Sequence, residues 1–266
     1  MRVTRACAID GRCEIDINLD FSRRFKMNIE EYRKYMTAEM LMGPNSLRIL
    51  EELLAKHPLA LSSGGALLDL GCGKGLTSLA LAEETGAVVY ANDLWISAED
   101  NAKRFREWGV DDKVVPVHED ANDLHFEKGR FDALVSIDSY HYFATKKGFF
   151  EEKILPYLSD GAVALIGVPG IKDEFSGRSE ELLSDWLGDE AYMFGSPSAW
   201  REIIGRSDRI EGVETWEMDC FDAAWEEWFA TEHKYALGDK RFYDTLIKPY
   251  TCFVGIYIKL NKGITR

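Results

Sequence analysis

The sequence predicts an α/β fold, doubly wound around a parallel sheet, and three observations predict it. From about residue 66 onward, short apolar, β-rich runs alternate with amphipathic helical runs, the pattern of a sheet covered by crossover helices. The first of these runs, Leu67-Leu68-Asp69-Leu70, breaks into Gly71, Gly73 and Gly75, as a buried strand does when it turns tightly into a helix. The chain has 266 residues, 46% of them apolar and 29% charged, enough for one substantial core without covalent staples.

Residues 1–20 show no clear period and read as an N-terminal arm. Asn28 is a candidate N-cap with Glu31 at the capping-box position; Ile29, Tyr32, Met36 and Met40 follow at helical spacing until Gly43-Pro44. This helix is read equally well as core packing or as a cap over a cleft. A second helix starts at Ser46, carries Leu47, Leu50, Leu53 and Leu54 on one face, and ends near His57-Pro58. Ser62 to Gly65 turn into the strand at Ala66. The glycine turn opens a helix closed by Gly86. Val88 to Ala91 is the next strand, ending at Asn92-Asp93. Ser97 and Asp100 start a helix closed by Gly109. Strands follow at Lys113–Val117 and Phe131–Ile137, then a helix around Phe149 to Leu158 and a strand from Gly161 to Val168. Residues 171–200 are acidic, dotted with aromatics, and break the rhythm; they read as a lid-like insertion after strand five. A helix from Ser198, a strand from Val213, a helix capped by Asp222 and a last strand from Tyr250 to Leu260 complete the chain. The expected division is an arm and cap helix over 1–45 and a main domain over 46–266.

Composition narrows the function. No run reaches the ~18 to 20 apolar residues needed to span a bilayer, and Met1 to Cys7 carry no secretory h-region. The formal net charge of −14 disfavours a nucleic-acid partner. Arg23, Arg24, Lys26, Arg33 and Lys34 are interleaved with acids and read as a solvated face. Five scattered cysteines argue against a disulfide framework and for a cytoplasmic location. Cys7 and Cys13 lack the partners of a zinc site, and no metal site is expected.

The glycine turn separates the nucleotide motifs. A dinucleotide fingerprint needs glycine at position 76, which is Leu; a phosphate loop needs Ser or Thr after Lys74, where Gly75 stands. What remains, Asp-Leu-Gly-Cys-Gly-Lys-Gly after an apolar strand, resembles motif I of class I S-adenosylmethionine-dependent methyltransferases. Two later strand ends extend the likeness: Asp93, 18 residues past Gly75, and Asp120-Ala121. The resemblance covers about residues 46–168. It implies a Rossmann-like, seven-stranded sheet whose last strand is antiparallel, and S-adenosylmethionine as cofactor. It implies cofactor contacts from Asp69, Gly71, Gly73, Gly75, Asp93, Leu94, Asp120, Ala121 and Ser136. In that family the counterpart of Asp93 accepts both ribose hydroxyls. The counterpart of Asp120 lies near the adenine amine, and that of Asp69 helps hold the methionine end.

The loop Ser136-Ile137-Asp138-Ser139-Tyr140-His141-Tyr142-Phe143 follows the fourth strand, which in the resembling family faces the transferred methyl. The Pro-Pro-Tyr motif of nucleic-acid amino-methylases is absent, and the run is similar to small-molecule methyltransferases of the ubiquinone-biosynthesis, sarcosine-forming and cyclopropane-type groups. His141 is a candidate general base, Asp138 a candidate to orient an amine or hydroxyl, and Tyr140 a candidate to stack or donate. Each also has a plain structural reading. Trp95 is read as either a cover for the adenine or helix-start packing. Trp216 to Asp219 with Trp225 and Trp228 suggest a cation-friendly pocket or, more simply, core filling. The expected function is methyl transfer to a small-molecule acceptor. A macromolecular methyltransferase and a non-catalytic S-adenosylmethionine-binding module are the alternatives. The acceptor, the methylated atom and the oligomeric state are not written in these motifs.

Overall fold

In the computed structural model, residues 27–62 and 64–263 are described. The expected arm over 1–20, Cys7, Cys13, and three members of the basic cluster, Arg23, Arg24 and Lys26, lie outside them.

The strands are β1 (Ala66–Leu70), β2 (Val88–Asn92), β3 (Val114–Val117), β4 (Phe131–Ile137), β5 (Leu158–Ile171), β6 (Ile210–Glu217) and β7 (Thr251–Leu260). They form one seven-stranded sheet in the order β3-β2-β1-β4-β5-β7-β6. The pairings among β1 to β5 are parallel, whereas β7 runs antiparallel to both β5 and β6. The order reverses beside β1, so a crevice opens beyond the carboxyl ends of β1 and β4.

Alternation along the strands sends side chains to two cores. Leu67, Ala133 and Val135 join one cluster with the helices α1 (Ser46–Lys56) and α2 (Leu76–Thr85). Leu68, Leu70 and Leu134 join the other, with Tyr140, Phe150 and Trp200. The helix α1 begins where its leucine face predicts, capped by the buried Asn45, whose side chain accepts the Leu47 N–H. It sits close on β5 because Gly167 has no Cβ; one there would lie 2.3 Å from Ile49 Cγ2. The helix α3 (Ala98–Trp108) has the expected Ser97 cap and Gly109 stop.

Four expectations need correction. The helix after Asn28 is a short 3-10 turn, Ile29–Tyr35; Asn28 does cap it, but the backbone leaves the helix at Met36. The region Phe149–Leu158 is a π turn over Phe150–Ile154 and a 3-10 turn over Leu155–Tyr157, because Pro156 has no N–H and its ring collides with a carbonyl in the preceding turn. The strand β5 then starts at Leu158 and runs to Ile171, since β7 pairs with it as far as Ile171 opposite Thr251. The helix α6 (Phe221–Ala230) is not capped by Asp222, which lies in its first turn and accepts bonds from Tyr243 Oη at 2.8 Å and Lys248 Nζ at 3.0 Å.

Residues 171–200 hold the 3-10 turn Asp173–Phe175, the helix α4 (Ser179–Leu187), a second 3-10 turn Gly188–Met193, and the start of α5 (Pro197–Ile204). A further helix, α7 (Lys234–Lys240), carries no apolar signature strong enough to read from sequence. It is fastened to its neighbours by Asp239, which accepts from Trp186 Nε1 at 3.1 Å and Trp228 Nε1 at 3.2 Å. Trp225 and Trp228 are buried in the core, as their plainer reading holds. Among the described residues, no helix is long and apolar enough to cross a membrane.

Candidate active site

A cavity of about 410 Å³ lies at the carboxyl ends of β1, β2, β3 and β4, within the size range of small-molecule sites. Its floor is the glycine turn. Gly71, Gly73 and Gly75 all have left-handed backbone, with φ of 75°, 53° and 85°, a conformation that costs an L side chain about 1–2 kcal/mol. Space is equally short. A Cβ on Gly71 would lie 2.3 Å from Ser139 Oγ, and one on Gly75 would lie 2.4 Å from Phe105 Cε1.

The amides of this turn are mostly committed within the chain. The N–H groups of Gly71 and Cys72 donate to the Asn92 carbonyl at 2.8 and 3.0 Å, and that of Gly75 donates to the Cys72 carbonyl at 2.9 Å. The Gly73 N–H donates to Asp93 Oδ2 at 2.8 Å. The turn therefore offers the cavity a bare, close surface more than a row of free donors.

Asp93 lines the cavity at the end of β2 and is 7% exposed. Its Oδ1 accepts the N–H groups of Trp95 and Ile96 at 2.7 and 2.8 Å. With Oδ2 already holding Gly73, one lone pair on Oδ2 remains for a ligand, as each carboxylate oxygen accepts about two bonds. The carboxylate joins the two loops and keeps an acceptor position on Oδ2. Asn92 behind it joins β2 to β3: its side chain accepts the Glu119 N–H at 2.9 Å and donates to the Glu119 carbonyl at 3.1 Å. Leu94, Asp120 and Ala121 also line the cavity. The backbone N–H and side-chain amide of Asn122 both donate to Asp120 Oδ1 at 2.8 Å; these bonds hold its carboxyl below the usual range. Trp95, 66% exposed, meets Tyr142 edge-on at 5.1 Å across the mouth.

Of the residues singled out from the sequence, Gly71, Gly73, Asp93, Leu94, Asp120, Ala121 and Asp138 line the cavity. Asp69, Gly75, Ser136, Tyr140 and His141 do not. Strand parity explains two of them. Asp69 points, like Leu67, to the α2 face, where Thr77 and Ser78 hydroxyls donate to its Oδ2 at 2.7 and 2.6 Å. Burial raises its carboxyl to about 6. Ser136 lies inside β4 and ties it to β1, donating to the Leu70 carbonyl at 2.7 Å. Tyr140 is fully buried against Phe143, Phe149 and Trp200, and its hydroxyl, pushed up by burial, reaches no partner. His141 is buried between Tyr142, at 4.1 Å between ring centres, and Phe194 in the inserted segment. Burial lowers its imidazole to about 3, so it stays neutral at physiological pH.

Asp138 is the candidate that faces the cavity from β4. Its backbone is left-handed, φ 52°, unusual outside glycine. Its N–H is held by the Gly167 carbonyl at 2.7 Å. Burial, with the charge of Asp239, raises its carboxyl to about 7.

The segment before Gly43 has the alternative reading of a cap over a cleft, and Met40 to Pro44 with Ser46 do line the cavity, whereas Tyr32 and Met36 do not. The segment is held over the glycine turn by Lys74 Nζ, which donates to the Glu39 carbonyl. Gly43-Pro44 reads as a helix stop, and nothing local says that the chain after it folds back over residue 74. Ser139 is also new. Its hydroxyl donates to the Leu70 carbonyl at 2.9 Å and sits where a Cβ on Gly71 would be.

Residues 67–154 match a family described as "Methyltransferase domain". No curated protein is significantly similar in sequence. Several solved structures share the fold. A geranyl diphosphate C-methyltransferase from Streptomyces coelicolor, bound to Mg2+, geranyl diphosphate and S-adenosyl-L-homocysteine, superposes with a TM-score of 0.63 at 18% identity, over 78% of this chain and 77% of that one. Phosphoethanolamine N-methyltransferase 2 from Haemonchus contortus, bound to S-adenosyl-L-methionine, gives 0.64 at 20% identity, over 87% of this chain and 56% of that one. Residues 67–154 are thus similar to this methyltransferase-domain family, and the chain shares the seven-stranded fold of those solved structures.

Proposed function

We propose that the chain is an enzyme that transfers a methyl group from S-adenosylmethionine to a small-molecule acceptor. The observation that carries this reading is the cavity that joins the glycine turn, Asp93 and Asp120 to Asp138 in one space. The residues present suit the cofactor. Gly71 and Gly73 give a floor without side chains, Asp93 Oδ2 keeps an acceptor site for a ribose hydroxyl, and Asp120 with the Ala121 backbone suits an adenine edge. Leu94, Trp95 and Leu76 supply apolar wall. Bound there, S-adenosylmethionine supplies an electrophilic methyl on a sulfonium sulfur.

The chain's own part is then placement. In-line displacement needs the acceptor atom about 3 Å from the methyl, and holding it there supplies much of the rate. The loop after β4 would do this through Asp138 and Ser139. Residues 171–200 would act as a lid over the acceptor, since their Phe194 packs on His141 in that loop; Met40 to Pro44 would cap the cavity over the glycine turn. Asp138 is the proton acceptor in this reading; neutral His141 and buried Tyr140 shape the loop and do not meet the reacting atoms. Asp69 and Ser136 support the glycine turn from behind. The scattered cysteines keep the cytoplasm as the proposed location.

The test is methyl-labelled S-adenosylmethionine incubated with the folded protein and a small-molecule metabolite extract, followed by mass identification of labelled products. Turnover with a discrete labelled product is expected, with loss on Asp93→Ala. Cofactor binding without any labelled product would instead favour a binding module.

A further inference from the structure

Asp138 carries two costs that its own fold does not repay. A non-glycine residue in the left-handed region is strained by ~1–3 kcal/mol. A part-buried carboxylate normally recovers its desolvation through hydrogen bonds or a cationic neighbour. Among the described residues, no donor lies within hydrogen-bond distance of the Asp138 carboxylate, and no Lys or Arg pairs with it. The charge that acts on it is another carboxylate, Asp239 of α7. Among the described residues, the one basic side chain lining the cavity is Lys74, and it spends its ammonium on the Glu39 carbonyl.

The wall opposite also yields to this carboxylate. A Cβ on Gly43 would lie 2.9 Å from Asp138 Oδ2. A side chain there would take the space in front of the carboxylate. Tyr142 and Phe143 also line the cavity, and aromatic rings attract a cation that meets their faces.

We propose that the acceptor is a protonatable amine with an apolar body, bound as its ammonium against the Asp138 carboxylate. The inference rests on the methyl-transfer reading of the cavity. In the step, the ammonium gives one N–H proton to Asp138. The freed nitrogen lone pair forms the new N–CH3 bond, and the C–S bonding pair stays on sulfur. The methylated nitrogen leaves as an ammonium.

The test has three readouts on wild type and Asp138→Asn, a substitution that keeps the shape and tolerates left-handed backbone. Calorimetric titration of S-adenosylhomocysteine is expected to give affinities within about twofold of each other. Titration of tryptamine and phenethylamine into the S-adenosylhomocysteine-saturated protein is expected to show binding that weakens roughly 10-fold or more in Asp138→Asn, the scale of a lost charge-assisted hydrogen bond. Labelled methyl from a metabolite extract is expected on nitrogen. Label on oxygen, sulfur or carbon, or on a phosphorylated acid, overturns the amine assignment and leaves methyl transfer standing. Amine binding indifferent to Asp138→Asn overturns it as well. No binding of S-adenosylhomocysteine by wild type overturns the methyl-transfer reading and the amine assignment together.

Discussion

Replacing Asp93 by Asn separates two roles that one carboxylate performs. In the folded chain its oxygens accept three backbone N–H groups: Gly73 at 2.8 Å, Trp95 at 2.7 Å and Ile96 at 2.8 Å. Asn has the same shape but one acceptor oxygen and one NH2. With the oxygen toward Trp95 and Ile96, its NH2 faces the Gly73 donor; turned round, it faces two donors. The milder orientation still loses one bond to a charged acceptor and leaves a donor unsatisfied, which together cost about 2–3 kcal/mol. At roughly 2–4 °C per kcal/mol for a chain of this size, the melting temperature without any ligand should fall by about 5–10 °C. Affinity for S-adenosylhomocysteine should fall by roughly 10-fold or more as the charge facing the ribose is lost. Scanning calorimetry of the ligand-free protein and a calorimetric titration read the two effects separately. An Asn variant that melts within about 1 °C of wild type without ligand would refute the joining of the two loops through Asp93.

Other substitutions probe the remaining geometry. Gly71→Ala should cost about 2–4 kcal/mol, from left-handed strain and from displacing Ser139, whose Oγ lies 2.3 Å from the added Cβ. Adding Ser139→Gly should recover the steric part in a denaturation series, and no recovery would show that the clash is not the cause. Asp138→Asn should change stability with pH in a defined direction. Its carboxyl is raised from an ordinary 3.8 to about 7, so the folded state holds the proton more tightly, and wild type loses stability as pH rises from about 4 through 7. The Asn variant should therefore be more stable than wild type at pH 8, by on the order of 2–4 kcal/mol, and equal to it near pH 4; urea melts at both values check this. His141→Phe should act at the other end. Its imidazole is depressed to about 3, so wild type loses stability as pH falls below about 6.5, on the order of 3 kcal/mol by pH 4. The Phe variant should remove that acid sensitivity while keeping the pH profile of turnover; a lost alkaline-going limb in that profile would return His141 to the role of general base.

The sheet was legible because its signals are local. The apolar runs of β1 and β4, the caps at Ser97 and Gly109, and the leucine face of α1 each fix an element from a few neighbouring residues. The antiparallel entry of β7 came only through the family resemblance. Elements governed by tertiary fit were harder. The helix α7 has a single buried apolar residue, Ala236, and is held by two indole bonds to Asp239 from distant elements. At the site, strand ends could be read but side-chain direction could not. Asp69 and Ser136 face away from the cavity because each sits one residue inside its strand end. His141 and Tyr140 look like chemistry in a sequence, yet a tight 3-10 turn over Tyr140–Tyr142 turns both into the core. Asp138 escapes that fate through its left-handed backbone, which no local pattern announces.

The most direct test of the account is a calorimetric titration of S-adenosylhomocysteine into the wild-type protein. The cavity formed by the glycine turn, Asp93 and Asp120 predicts saturable binding at one ligand per chain, weakened in Asp93→Asn. Folded wild-type protein that takes up no S-adenosylhomocysteine, or binds it equally well with Asn at position 93, would contradict the assignment of this cavity to the cofactor.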